Sequence, residues 1–217
     1  MNKRILLIGG GGHCHSVFDS LCSCEIYDRI GVVAKNKANY RELKGDSIIS
    51  RYLVGIDEDL PVLFSDNWTD AFITLGSIGS STGRKKIYNL LKQIGFTIPV
   101  IIDPSAVISV KAKIGAGTYI GKKAVVNSGS VIGECAIINT GAIVEHDCYI
   151  GNFVHISSGS VLCGQVTVGD DSHIGAGSVV RQSITIGTKV LIGVGSTVVK
   201  NFSDNVKGYG NPCKVVE

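Results

Sequence analysis

The chain has 217 residues, 44% hydrophobic and 18% charged, so a buried core is feasible and wholesale disorder is excluded. A net charge of +3 is too small for a protein that grips nucleic-acid phosphates, and no nucleic-acid partner is expected. Glycine is the outlier, with 28 residues against four prolines, which excludes collagen-like and flexible Pro/Gly tracts.

The opening apolar run Ile5–Ile8 stops at Gly9, short of the about 7–15 residues of a signal-peptide core. No run approaches the roughly 18 residues of a membrane span. Seven cysteines, without paired zinc-ligand spacing, read as reduced thiols in a cytoplasmic protein.

Residues 1–100 read as a small α/β domain. Lys3–Ile8 is a short buried strand that runs into the turn Gly9-Gly10-Gly11-Gly12-His13, with a helix expected around Val17–Leu21. Ile30–Ala34 and Ala71–Leu75 read as further strands and Ile98–Ile102 as a fourth. Ile87, Leu90, Leu91 and Ile94 give Gly83–Ile94 helical spacing. A dinucleotide fingerprint fails, because the third glycine position falls on Cys14 or His15 and Lys35-Asn36 follow the second strand where an acidic residue is required. The glycine turn is either a phosphate cradle of bare backbone amides or a tight strand-to-helix connection.

Residues 101–200 carry a six-residue repeat. Stepping by six from Ile102 to Val198, all 17 positions hold Ile, Val or Leu. Four residues after each aliphatic from Ile102 to Ile192 stands a small or β-branched residue, with Ile184 the one large exception. Residues two apart in a strand point the same way. Each hexad therefore gives a short strand with one large and one small inward side chain, then a corner beside which glycine is frequent, as at Gly115, Gly121, Gly133 and Gly151. Three hexads close a triangular coil of 18 residues, and coils stack at about 4.8 Å. Residues 201–217 form a tail.

In this frame Glu145, His146 and Asp147 occupy an outward corner. Gly164, 18 residues on, lies directly above His146 and leaves room for a ligand. His155 points outward from a later face, with His173 one coil above it as a surface residue. A metal shared by His155 and His173 lacks the third protein ligand that zinc requires, so no metal is expected. Cys148 is an inward small hydrophobe, and Cys163 has no basic neighbour to make it a nucleophile.

The hexad pattern resembles the hexapeptide-repeat acyltransferases, which fold as a left-handed parallel β-helix. The whole chain is similar to sugar acetyltransferases of the sialic acid O-acetyltransferase and bacillosamine- and perosamine-type nucleotide-sugar N-acetyltransferase group. The resemblance is carried by the Gly-Gly-His turn, the run Asn139–Cys148, Phe153-Val154-His155-Ile156, Gly175-Ala176-Gly177 and the tail Gly210–Lys214. Two departures stand out: Ala34-Lys35-Asn36 where the group usually has an acidic pair, and Asp103 where a histidine is common.

Together, corner and resemblance lead to an acetyl-CoA-dependent transfer to an amine of a nucleotide-linked amino sugar. His146 is expected as general base and Asp147 or Glu145 as its support, with the Gly164 amide and the His155 ring at the thioester. The resemblance implies that Ala176 and Val194 contact the pantetheine arm, that Gly11, Gly12 and His13 meet the sugar nucleotide, and that Asn139 lines the acceptor pocket. It also implies a homotrimer. Because His146 and His155 point from different faces, a shared site between chains is expected. O-acetyl transfer to sialic acid or a related sugar, a non-enzymatic scaffold that binds a small anion, and a metal-dependent hydratase are the alternatives.

Overall fold

The computed structural model describes residues 3–45 and 48–216. They divide into two compact units. The first takes the described residues through Gly76, with Thr82–Pro99; the second takes Ser77–Ser81 and the described residues from Val100 onward.

The first unit is a four-stranded parallel sheet with helices, Rossmann-like as the sequence indicated. Its strands are β1 (Arg4–Ile8), β2 (Arg29–Ala34), β3 (Leu53–Ile56) and β4 (Asp70–Ile73), in the order β3-β2-β1-β4. The helices are α1 (Gly12–Cys24), α2 (Lys37–Leu43), α3 (Leu60–Ser65) and α4 (Thr82–Ile94). Ile5 to Ile8 are all buried, as the unbroken apolar run of a parallel strand requires. The expected fourth strand at Ile98–Ile102 is corrected. The fourth strand is β3, Ile101–Ile102 opens the coil of the second unit, and Thr97 makes only an isolated bridge to Asp70. β3 escapes a periodicity search because it is four residues long and carries Gly55.

The second unit is a parallel β-helix. Two-residue strands recur every six residues from Ile101–Ile102 to Thr197–Val198. Each strand up to Val179–Val180 pairs in parallel with the strand 18 residues on, as in Val131↔Tyr149 and His155↔His173. The ladder is regular: the Val131 N–H donates to the Cys148 carbonyl at 2.9 Å and the Gly133 N–H to the Ile150 carbonyl at 2.7 Å. The repeat aliphatics from Ile120 to Val198 are buried, with Ile132 the most exposed at 2%. Ile102 is the correction, at 38% exposed, because the first coil has no coil beneath it. Serines at the small inward position satisfy themselves locally: Ser160 Oγ donates to the Gly175 carbonyl at 2.8 Å and Ser178 Oγ to the Gly193 carbonyl at 2.9 Å. Lys207–Gly210 and Cys213–Val215 extend one of the three sheets, the second of them antiparallel.

Glycine serves two different purposes in the coil. The left-handed corner residue is the third after each aliphatic: Gly117, Gly129, Gly141, Gly159, Gly177 and Gly195, but also Asp147, Phe153 and Gln165. The glycines beside the aliphatics, read from the sequence as corner-formers, answer instead to stacking. A Cβ on Gly115, Gly133, Gly151 or Gly169 would stand 2.3–2.7 Å from the nearest atom of the coil above. We predict that Gly169→Ala, whose Cβ would lie 2.7 Å from the backbone of Gly187 and Thr188, lowers unfolding free energy by about 1–3 kcal/mol in chemical denaturation. A variant as stable as the parent would contradict backbone-limited stacking.

Candidate active site

The corner at residues 145–147 joins the sheet containing Ile143–Val144 to the sheet containing Tyr149–Ile150. Asp147 adopts the left-handed conformation at φ 57°. This turns its carboxylate back on the preceding residue, and His146 Nδ1 lies 2.9 Å from Asp147 Oδ2. A carboxylate only accepts, so Nδ1 carries the proton, and it is Nε2 that holds the lone pair in the neutral ring. Both side chains are exposed, at 50% and 60%.

Glu145 is half-buried and held from two sides: Oε2 accepts from Asn127 Nδ2 at 3.0 Å and from the His146 N–H at 3.3 Å. The backbone carbonyl of Glu145 accepts from buried Ser130 Oγ at 2.6 Å, which anchors the corner to the coil interior. Gly164 sits above His146 as the repeat required. The space it leaves is taken by the imidazole itself, since a Cβ on Gly164 would lie 2.5 Å from both Cε1 and Nε2 of the ring. The glycine therefore seats the histidine, which corrects the expectation of an open ligand space.

The remaining candidates of this unit lie elsewhere on the coil. Asn139, Ala176 and Val194 stand on the preceding corner, the latter two one coil apart and both exposed. His155 lies on the face before that corner. Its Nδ1 donates to the Ser77 carbonyl at 2.9 Å, and its Nε2 faces Asn139 Nδ2 at 3.2 Å. Asn139 Oδ1 accepts from the Thr140 N–H at 2.8 Å, which fixes its amide as the donor to His155. The structure thus brings Asn139 and His155 together and keeps both away from the corner of His146 in the same chain.

His173, expected on the surface, is 8% exposed. Its ring meets that of His155 edge-on with centroids 4.8 Å apart, and its Nε2 lies 3.2 Å from Ser157 Oγ. Burial lowers its pKa, with the Ser77 backbone opposing. The cover is the segment Ser77–Ser81, tied down by the Ser77 carbonyl on His155 and by Ser81 Oγ on Asp171. Nothing in the hexad register announces this segment, because it precedes the repeat. Among the described residues no group of three His, Cys, Asp or Glu is placed to hold a metal ion.

The first unit holds a pocket of about 450 Å³ at the carboxyl ends of its strands. Gly9 follows β1, Lys35 follows β2, Asp57 follows β3 and Leu75 lies just beyond β4, while Gly83 and Lys86 come from the start of α4. Gly9 is the part of the glycine turn that lines it. Gly11 caps α1 and Gly12 begins that helix, both exposed, and neither they nor His13 line the pocket. Asp57 and Lys86 had no sequence signal, Asp57 because the strand before it is the one that went unrecognised. Desolvation pushes the Asp57 carboxyl up to about 6, against the pull of Lys35. Its Oδ1 is buried without a hydrogen-bond partner.

Two sequence profiles match the chain: the PglD N-terminal domain over residues 4–91 and the bacterial transferase hexapeptide (six repeats) over residues 147–182. Among solved structures, the acetyltransferase domain of PglB from Neisseria gonorrhoeae FA1090 in complex with acetyl coenzyme A is 32% identical, with 100% of each chain covered and a TM-score of 0.87. PerB from Caulobacter crescentus in complex with CoA and GDP-perosamine is 32% identical, with 100% of this chain and 99% of that chain covered and a TM-score of 0.88. WeeI from Acinetobacter baumannii AYE, 22% identical over 99% of this chain and 100% of that chain with a TM-score of 0.85, shares the fold. No curated protein matches.

The raised carboxyl of Asp57 makes a stability prediction with a definite sign. Its folded pKa of about 6 exceeds the 3.8 of an ordinary aspartate carboxyl. Folding therefore favours the protonated form, and this group's contribution to stability falls as pH rises from about 4 through 6. Asp57→Asn removes that cost. We expect a higher melting temperature than the parent at pH 7.5 and a difference that shrinks toward zero near pH 4. A lower melting temperature at pH 7.5 would contradict it.

Proposed function

The chain belongs to the hexapeptide-repeat sugar acetyltransferases, the group of the PglB acetyltransferase domain and perosamine N-acetyltransferase, and from that membership we propose that it transfers the acetyl group of acetyl-CoA to the amine of a nucleotide-linked amino sugar with His146 as general base. It is an acetyl-CoA-dependent acyltransferase, and no helix among its described residues is long and apolar enough to cross a membrane. We place the reaction in the cytoplasm.

The observation that carries the reading is the 2.9 Å contact of His146 Nδ1 with Asp147, which leaves Nε2 as a base held against Gly164. Nε2 takes a proton from the acceptor nitrogen as its electron pair forms a bond to the thioester carbon. The oxyanion is met by the Gly164 amide. The C–S bond then breaks, and the CoA sulfur leaves with the electron pair and takes up a proton from the imidazolium. Asp147 supports the imidazolium while it lasts. Glu145, held by Asn127, places a second carboxylate beside the base. Two carboxylates favour an amine, which arrives as an ammonium and sheds one proton to solvent before the attack, over a neutral hydroxyl. This is the reason for preferring N- to O-transfer.

We further propose that the active form is a homotrimer. One sheet of the coil presents Val107, Val125, Ile143, Val161 and Val179 outward in register, with Val107 64% and Val179 40% exposed. This apolar stripe runs between the corner of His146 and the corner of Asn139, Ala176 and Val194. A second copy seated on it under three-fold symmetry would bring the His146 corner of one chain to the Asn139 corner of its neighbour, with its His155, Ala176 and Val194. Ala176 and Val194 would then flank the pantetheine arm. The α/β unit would hold the sugar nucleotide.

Two measurements follow. His146→Ala should fold normally, since its side chain fills no core, and should lose about 10²–10⁴-fold in kcat with acetyl-CoA and an amino-sugar nucleotide; near-normal turnover would sink the base assignment. Val161→Glu should shift the protein from trimer to monomer in analytical ultracentrifugation and abolish activity. Activity in a monomer would rule out shared sites, as would failure of mixed His146→Ala and His155→Ala trimers to regain any activity.

A further inference from the structure

We infer that Asp57, with Lys35 beside it, reads the nucleobase of the acceptor nucleotide and selects guanine over uracil. The inference rests on the reading of the α/β unit as the sugar-nucleotide site and adds to it the identity of the base.

The pocket at the carboxyl ends of β1 to β4 stands where open parallel sheets take their ligands. Its volume of about 450 Å³ lies in the range of small-molecule sites. Apolar side chains from Ile8, Leu75 and Ile87 offer walls for a flat ring. Lys86 and the first turn of α4, which carries no acidic residue, offer positive potential for a diphosphate.

The decisive feature is Asp57 Oδ1, buried, facing no donor and belonging to a residue that lines the pocket. Buried acceptors without a donor are exceptions in folded proteins, and a bound ligand is one way to satisfy them. A carboxylate only accepts, so the ligand must present N–H or O–H groups there. Guanine offers two adjacent donors, N1–H and the N2 amino group, next to the O6 acceptor. The carboxylate takes the donors and the Lys35 ammonium takes O6. Uracil offers a single N3–H between two carbonyl oxygens, and a carboxylate brought to it meets both. Lys35 stands after β2, where a dinucleotide site would keep an acidic residue for the ribose diol; a lysine cannot accept those hydroxyls and is free for a carbonyl.

The test is isothermal titration of the intact protein, without acetyl-CoA, with GDP and with UDP. Expected is binding of GDP at least about tenfold tighter than UDP, since a site built to hydrogen-bond a ligand rejects an analogue lacking the donor. Asp57→Asn keeps the shape and loses the charge and one acceptor. It should weaken GDP at least about tenfold and leave UDP unchanged or improved. Lys35→Met should also weaken GDP more than UDP. Equal affinity of the parent for both nucleotides, or an Asp57→Asn loss shared equally by the two, would overturn base reading and assign Asp57 to the ribose or to the fold. Binding of neither nucleotide would overturn the sugar-nucleotide reading of the unit itself.

Discussion

The parallel hydrogen-bond ladder between each strand and the strand 18 residues later is what the rest of the β-helix depends on. It brings successive coils to within about 4.8 Å of each other. At that distance a side chain beside the aliphatic of one corner column would meet backbone, so Gly115, Gly133, Gly151 and Gly169 recur there. The same ladder allows only a narrow interior, filled alternately by an aliphatic and by a small residue whose hydroxyl can turn back to a carbonyl. It also fixes columns on the outside. Any outward residue has a set neighbour 18 positions on, which is how Gly164 comes to seat the ring of His146.

The chemistry we propose accordingly sits at a corner. A corner side chain fills no core, so it can be chosen for reactivity at little cost to folding. The corner geometry supplies the orientation. The left-handed turn at Asp147 bends its carboxylate onto His146, and Ser130 in the interior holds the Glu145 carbonyl from beneath. The ligand we propose for the α/β unit would be met differently, by Asp57 Oδ1 left without a donor in a partly buried pocket. That is a local cost to stability at the place where a sugar nucleotide would repay it.

The coil was legible in the amino-acid sequence because its constraint is periodic. A six-residue step places every inward residue, and the outward corner at Glu145, His146 and Asp147 follows by counting. What counting could not supply was contact between elements of unequal period. The cover of Ser77–Ser81 over His155 and His173 comes from a segment with no repeat of its own, so His173 looked exposed and is buried. β3 is four residues with a glycine, and without it Asp57 had no place at a strand end. Of the glycine turn, which the sequence left open between a phosphate cradle and a tight connection, the pocket takes only Gly9. Lys35 was visible as a departure, but its meaning needed the partner across the pocket.

Everything proposed for the corner turns on His146 Nε2 as the base that meets the acceptor amine. A crystal structure of the protein with CoA and an amino-sugar nucleotide tests it most directly. Expected is the acceptor nitrogen within hydrogen-bond reach of Nε2, about 2.6–3.2 Å, with Nδ1 still on Asp147. An acceptor nitrogen held against another side chain, with His146 turned to solvent, would contradict it.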